Sequence, residues 1–150
     1  MIELTDIAYV RTGAADLAGA VDFATRIVGL ELVEGGEPGV AHLRADARHH
    51  CLALVEGASG VISTGFTVAD EDALALAETE LEQRGFTVTR GGAAECRSRR
   101  VRGFIGLDDP FGNRIELVAG QQSPGAAGRV LPPVRDHRVR SRLPGRSRRA

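Results

Sequence analysis

The stretch DDPFGNRIEL, Asp108 to Leu117, sets a cluster of turn-forming residues directly before an apolar run that carries one carboxylate, Glu116. Pro110 presets a turn-compatible φ, and Gly112 and Asn113 tolerate the left-handed region, so a tight turn has its own local cause. In the run that follows, strand alternation puts Ile115 and Leu117 on one face and Arg114, Glu116 and Val118 on the other. The first face belongs under helices. On the second, Glu116 is either solvated at a half-exposed edge or set in a site where a cation is held.

Outward from this stretch, the chain repeats itself. Leu17, Val21, Ala24 and Val28 share a helical face, Asp16 can cap that helix, and Gly29 can end it before LELVE and Gly35-Gly36. Leu74, Ala77 and Leu81 form a second stripe, with Asp70 as cap and Gly85 as stop, before FTVTR and Gly91-Gly92. Gly29 maps to Gly85 and Gly35-Gly36 to Gly91-Gly92 at one offset, which marks duplication of a whole supersecondary unit. Strand-like runs DIAYV, GVAHLRA and HCLALVE fill the first unit; STGFTV, VRGFIGL and RIELV fill the second. The expectation is an α+β fold of two tandem βαβββ units, about 1–57 and 58–120, forming a mixed-sheet cup.

Charge divides the chain at the same place. Residues 1–120 carry 19 Asp and Glu against 11 Arg, whereas 121–150 carry eight Arg against Asp136 alone. Segment 121–150, rich in Arg, Pro and Gly without apolar periodicity, is expected to be a disordered tail. Its composition is that of a GC-rich gene read out of frame, and a one-base shift across Arg135 to Arg140 permits Thr-Thr-Gly-Phe. The N-terminus lacks the basic and apolar regions of a secretory signal, and no segment could span a bilayer, so a cytoplasmic protein is expected. Cys51 and Cys96 have neither disulfide-framework nor C-x-x-C spacing.

TDIAYV, the helix ending in GLELVE and, above all, DPFGNRIEL resemble the vicinal oxygen chelate superfamily of glyoxalases, bleomycin-resistance proteins and extradiol dioxygenases. ARHHCLALVEG and VRGFIGLDDPFGNRIEL are most similar to the N-terminal domain of type I extradiol ring-cleavage dioxygenases, enzymes that open catechols. Thr-Thr-Gly-Phe in the shifted frame resembles the linker that follows that domain. The resemblance implies a cup holding a divalent metal between four inward residues, usually two His with acidic or amide groups. In this chain the four positions read Asp6, Ala53, Ser63 and Glu116. Alanine cannot ligate, and neither Asp6 nor Ser63 is an imidazole. Tyr9 and Phe66 sit in matching strands and are also expected to line the cup. His42, mid-strand, and His49 and His50, at a turn, match no ligand position; His137 falls in the basic tail.

No catalytic residue and no metal ligand is therefore assigned, and Glu116 is expected to be neutralised by Arg114 or water. CRSRRVR, Cys96 to Arg102, reads as a solvated hairpin connection. The Arg-rich tail lacks interleaved aromatics and hangs from an acidic domain, which argues against nucleic acid. The expected function is that of a non-catalytic N-terminal half of a ring-cleavage dioxygenase, with Fe(II) expected only in a full-length enzyme. The alternatives are a metal-free binding protein of the bleomycin-resistance type, taking a small aromatic or other small molecule, and a free-standing metal-dependent lyase or dioxygenase, which the ligand positions disfavour. A homo-oligomer is expected, with no nucleic-acid or membrane partner.

Overall fold

The computed structural model describes residues 1–123. Of the expected tail, 121–150, residues 124–150 lie outside the described residues, whereas Gln121 donates to the His50 carbonyl at 3.0 Å and the Gln122 N–H to that of Arg100 at 2.8 Å, so the first tail residues are tied to the domain. Eight strands occur: β1 Asp6–Ala14, β2 Glu31–Val33, β3 Val40–Arg44, β4 Leu52–Glu56, β5 Gly60–Thr67, β6 Thr89–Arg90, β7 Gly103–Asp108 and β8 Arg114–Ala119. Three helices join them: α1 Leu17–Phe23, α2 Glu71–Gln83 and α3 Ala93–Arg99. The strands make one mixed sheet in the order β2-β3-β4-β1-β5-β8-β7-β6. Each half is a four-stranded unit whose opening strand pairs in parallel with its last, β1 with β4 and β5 with β8. The halves join along antiparallel β1 and β5. This is the expected pair of βαβββ units.

Both long helices begin and end where their caps predict. Asp16 accepts the Gly19 N–H at 3.0 Å, and Asp70 accepts that of Ala73 at 2.8 Å. Gly29 and Gly85 each take φ 86°, a left-handed stop that a side chain would strain. Under α2, Leu74, Ala77 and Leu81 bury against Ile105, Leu107 and Leu117, so the Ile115–Leu117 face does lie beneath a helix. Under α1, Leu17, Ala20 and Val21 pack on Leu43 and Leu54. Val28 departs from the expected stripe and is exposed, because Ala24–Val28 form a π-helical turn whose wider pitch breaks the 3.6-residue period.

Two local expectations need correction. FTVTR is a strand only at Thr89–Arg90. CRSRRVR is not a hairpin connection: Cys96 to Arg99 form the end of α3. The Glu95 carboxylate accepts the Gly92 N–H at 2.8 Å and stabilises the start of that helix, and Arg100 closes it at φ 56°. In the quoted turn the hub is Asp109, which accepts the N–H groups of Phe111 and Asn113 at 2.8 and 2.9 Å. Gly112 supplies the left-handed step at φ 85°.

Candidate functional site

Residues directly opposite in neighbouring strands project to the same side, so register alone lays out the cup. One row crosses the first unit: His42 on β3 faces Ala53 on β4, Ala53 faces Arg11 on β1, and Arg11 faces Ser63 on β5. A second row crosses the joint: Tyr9 on β1, Gly65 on β5, Glu116 on β8 and Gly106 on β7. Parallel pairing sets Arg11 opposite Ala53 as it sets Gly65 opposite Glu116. Tyr9, not Asp6, is therefore the counterpart of Ser63. Tyr9 and Ser63 are 54 residues apart, as are the caps Asp16 and Asp70, whereas Gly29 and Gly85 are 56 apart, so alignment on the glycines misplaces the opening strands.

Over the second unit the cup is filled by α3. Arg99 donates to Glu116 through Nε at 2.8 Å and Nη2 at 2.7 Å, a bidentate pair. Tyr9 adds its phenol O–H to Glu116 Oε2 at 2.7 Å. Glu116 is 1% exposed, and burial alone would raise its carboxyl; the bonds from Arg99 and Tyr9 outweigh that and hold it below the usual carboxylate range. Burial, then the adjacent Glu116, pushes the Tyr9 phenol far up, so it stays a donor. The Arg99 guanidinium also lies 4.2 Å over the Phe104 ring. Phe104, Val118, Val101, Ala8 and Tyr9 form the apolar floor beneath. A Cβ on Gly65 would come within 2.8 Å of the Tyr9 ring, so the glycine makes room for that ring.

Over the first unit the cup holds imidazoles. His50 stacks on Tyr9 with ring centroids 5.2 Å apart and planes 15° apart, and His42 lies 4.4 Å from His50. His42 Nε2 donates to the Ser98 carbonyl at 3.0 Å, which ties this half to the end of α3. His49 Nδ1 and His50 Nδ1 are 3.1 Å apart and share one proton between donor and acceptor. Burial, reinforced by neighbouring His and Arg, pushes His50 down to about 3 and His49 to about 4. His42 is lowered by burial as well. All three rings are neutral near pH 7.

Of the six residues expected to face the cup, Tyr9, Ala53, Ser63 and Glu116 lie on this face, buried beneath α3 and the imidazoles. Asp6 does not reach it. It is exposed at the start of β1, where its carboxylate accepts from Arg48 at 3.1 Å and from the Ile7 N–H. Phe66 is on the opposite face, packed with Ile115 against the α2 core, because it is one residue out of phase with Ser63 and Gly65. Arg114 does not neutralise Glu116; it pairs with Asp108 at 3.4 Å and with Thr89. Arg99, Arg11 and the three histidines are the polar groups that sequence reading left out of the cup. Arg11 carried a signal, being a charge in a strand two residues after Tyr9, as Glu116 is in its own strand.

The donor set does not fit an iron centre. Ala53 offers no ligand atom, Asp6 is turned to Arg48, and Glu116 is committed to Arg99 and Tyr9. The nitrogens of His42 and His49 that make bonds face Ser98 and His50, and among the described residues no three His, Cys, Asp or Glu converge as metal ligands. On the helix-bearing face, a depression of about 380 Å³ lies between Val61, Ile62, Phe66, Asp109 and Ile115. No helix among the described residues is long and apolar enough to cross a membrane.

Comparison with known proteins agrees with this geometry. The family model of the Glyoxalase/Bleomycin resistance protein/Dioxygenase superfamily matches residues 6–117. The chain is 32% identical over 123 residues to a 1,2-dihydroxynaphthalene dioxygenase of Sphingobium xenophagum, covering 81% of this chain and 41% of that protein. It is 26% identical over 120 residues to an iron-dependent extradiol dioxygenase of Rhodococcus jostii, covering 79% and 40%. A solved catechol 2,3-dioxygenase superposes with a TM-score of 0.76 at 30% identity, over 81% of this chain and 43% of that one. The chain thus spans about 41% of the length of the first of these relatives. With its paired βαβββ units and the match over residues 6–117, the chain belongs to the glyoxalase/bleomycin resistance/dioxygenase superfamily, as an extradiol dioxygenase-like domain of partial length.

Proposed function

We propose that this chain serves as the non-catalytic N-terminal half of an extradiol ring-cleavage dioxygenase. In this reading iron binding and catechol cleavage belong to the portion of the relatives that the chain does not match. The observation that carries it is the state of Glu116. The carboxylate at the family's ligand position in the last strand is held by three hydrogen bonds, two from Arg99 and one from Tyr9, and so serves as a structural anion. Its counterpart in the first unit is Ala53, which has no donor. The chain alone binds no stoichiometric iron and opens no catechol ring.

The proposal extends to the setting. The relatives act on small aromatic diols by their names, and the domain would support such chemistry from outside the reacting centre. A homo-oligomer in the cytoplasm is the assembly we propose, in keeping with exposed apolar side chains at Phe23, Ile27 and Val61. The test is purification of the chain followed by metal analysis and a ring-cleavage assay on a catechol panel, with and without added Fe(II). No metal and no turnover are expected. Turnover that requires Fe(II) and is lost in Glu116→Gln would overturn the reading.

A further inference from the structure

The cup of the first unit contains a buried cation that no carboxylate touches, although Glu116 and Glu37 attract it from a distance. Arg11 is 7% exposed, yet its Nε and Nη1 atoms have no hydrogen-bond partner, and no carboxylate lies within ion-pair distance. Arg100 donates through Nη2 to the Gly35 carbonyl at 3.0 Å, and its buried Nε is also unpartnered. Glu116, which attracts Arg11 more than Glu37 does, already pairs with Arg99. His42 Nδ1 and His50 Nε2, on side chains no more than 1% exposed, also lack partners; Ser63 Oγ, equally buried, makes no hydrogen bond of standard geometry but leans toward Glu116 and helps hold that carboxyl down. A buried guanidinium whose N–H groups meet no acceptor and no contact carboxylate is costly.

The atoms specify what would satisfy them. His42 Nε2 donates to a carbonyl, so in the neutral ring Nδ1 is a bare acceptor. Arg11 and Arg100 present donors only. A halide could take the donors but could give nothing to His42. A neutral water would fill bonds without balancing charge. An oxyanion that retains one O–H does both, accepting from the guanidinium and donating to the imidazole. Ala53, seated between His42 and Arg11 in the sheet row, contributes no more than a methyl group there.

We infer that the first-unit cup is a binding site for a small hydroxylated oxyanion, of the size of bicarbonate or hydrogen phosphate, held by Arg11 and Arg100 with His42, His50 and Ser63. This site shares Ala53 and Ser63 with the four positions named from the family resemblance, but it needs no metal and no ring-cleavage chemistry, so its failure and that of the dioxygenase reading are separable. It gives the first unit a ligand where the second has an internal ion pair.

The test is titration of the full chain with bicarbonate, phosphate, formate and chloride at constant ionic strength and pH 7.5. Thermal midpoint and line broadening of 13C-bicarbonate are the readouts. Bicarbonate and phosphate should raise the midpoint saturably, formate more weakly and chloride not at all, by the linkage of binding to stability. The relative response of bicarbonate and phosphate tells which of the two fits. Arg11→Met should weaken binding at least tenfold while the exposed Arg97→Gln leaves it unchanged. Ala53→Val, which keeps every charge but adds bulk between His42 and Arg11, should also abolish it and covers the case in which Arg11→Met does not fold. Equal midpoint shifts from all four salts, absence of any saturable shift, or a response that survives Arg11→Met or Ala53→Val would overturn the inference.

Discussion

Replacing Glu116 by Gln tests whether the buried carboxylate is the structural keystone of the cup. The substitution keeps shape and removes the charge, leaving Arg99, 13% exposed at its side chain, and the Tyr9 phenol without their anion. Breaking one side of a buried ion pair costs about 3–5 kcal/mol, because the remaining charge is left uncompensated. A domain of this size has a total stability of about 5–15 kcal/mol, so the variant should be folded but fragile. Arg99→Met removes the other member and should cost about as much. The double variant should cost far less than the sum, since neither charge is then stranded. Urea unfolding followed by circular dichroism measures all four proteins. With a slope of about 1.5 kcal/mol per molar urea, a 3 kcal/mol loss moves the midpoint by about 2 M. Additive single effects, or a Glu116→Gln loss below about 1 kcal/mol, would refute the view that Glu116 and Arg99 form one unit.

Acid should destabilise the chain well above the usual carboxylate range. The folded-state pKa of His50, about 3, lies below its ordinary value of 6.5, so its contribution is fully present above pH 6.5 and is lost as pH falls toward 3. One histidine kept neutral in the fold costs about 1.4 kcal/mol per pH unit below 6.5, or about 2 kcal/mol at pH 5. The urea midpoint should fall between pH 7.5 and 5 and fall less in His50→Gln; a flat profile would contradict the buried imidazole cluster. Gly65→Ala places a methyl group within 2.8 Å of the Tyr9 ring, and about 1–3 kcal/mol of overpacking cost is expected. Thermal melting of Gly65→Ala beside Tyr9→Phe checks it, and an unchanged midpoint in Gly65→Ala would mean that the ring is not wedged where the register places it.

The frame of the molecule was open to reading from local chemistry. Asp16, Asp70, Gly29 and Gly85 act through their own backbone geometry, so they mean the same thing in any tertiary setting, and they fall at the ends of α1 and α2. The face of β8 was equally legible, because alternation is a property of the strand itself. What could not be read was which partner would meet Glu116. Arg114 is its neighbour on the same face, whereas Arg99 reaches it from α3 across a connection. That helix hid in CRSRRVR because its apolar content is small and its start rests on one Glu95–Gly92 bond. The opening strands were misaligned because the spacing between the halves changes within the helices, from 54 residues at the Asp caps to 56 at the glycine stops.

The structural answer to a charge inside a strand depends on the duplication. Each half offers the same inward position on its last strand, Ala53 in the first and Glu116 in the second, against the same inward positions on its opening strand. In the second half the carboxylate brings a helix with it: Arg99 must reach the floor, so α3 folds over the sheet and excludes water from the pair. Removing water strengthens the ion pair and at the same time raises the cost of losing either member. In the first half, where Ala53 has no charge to offer, Arg11 has no contact carboxylate, only the distant attraction of Glu116 and Glu37, and neutral imidazoles lie beside it. The end of α3 joins the halves, since Ser98 accepts from His42 and the adjacent Arg99 donates to Glu116. The two halves of the cup are therefore coupled through one seven-residue helix, and the chemistry of the first half is set by the residue it lacks.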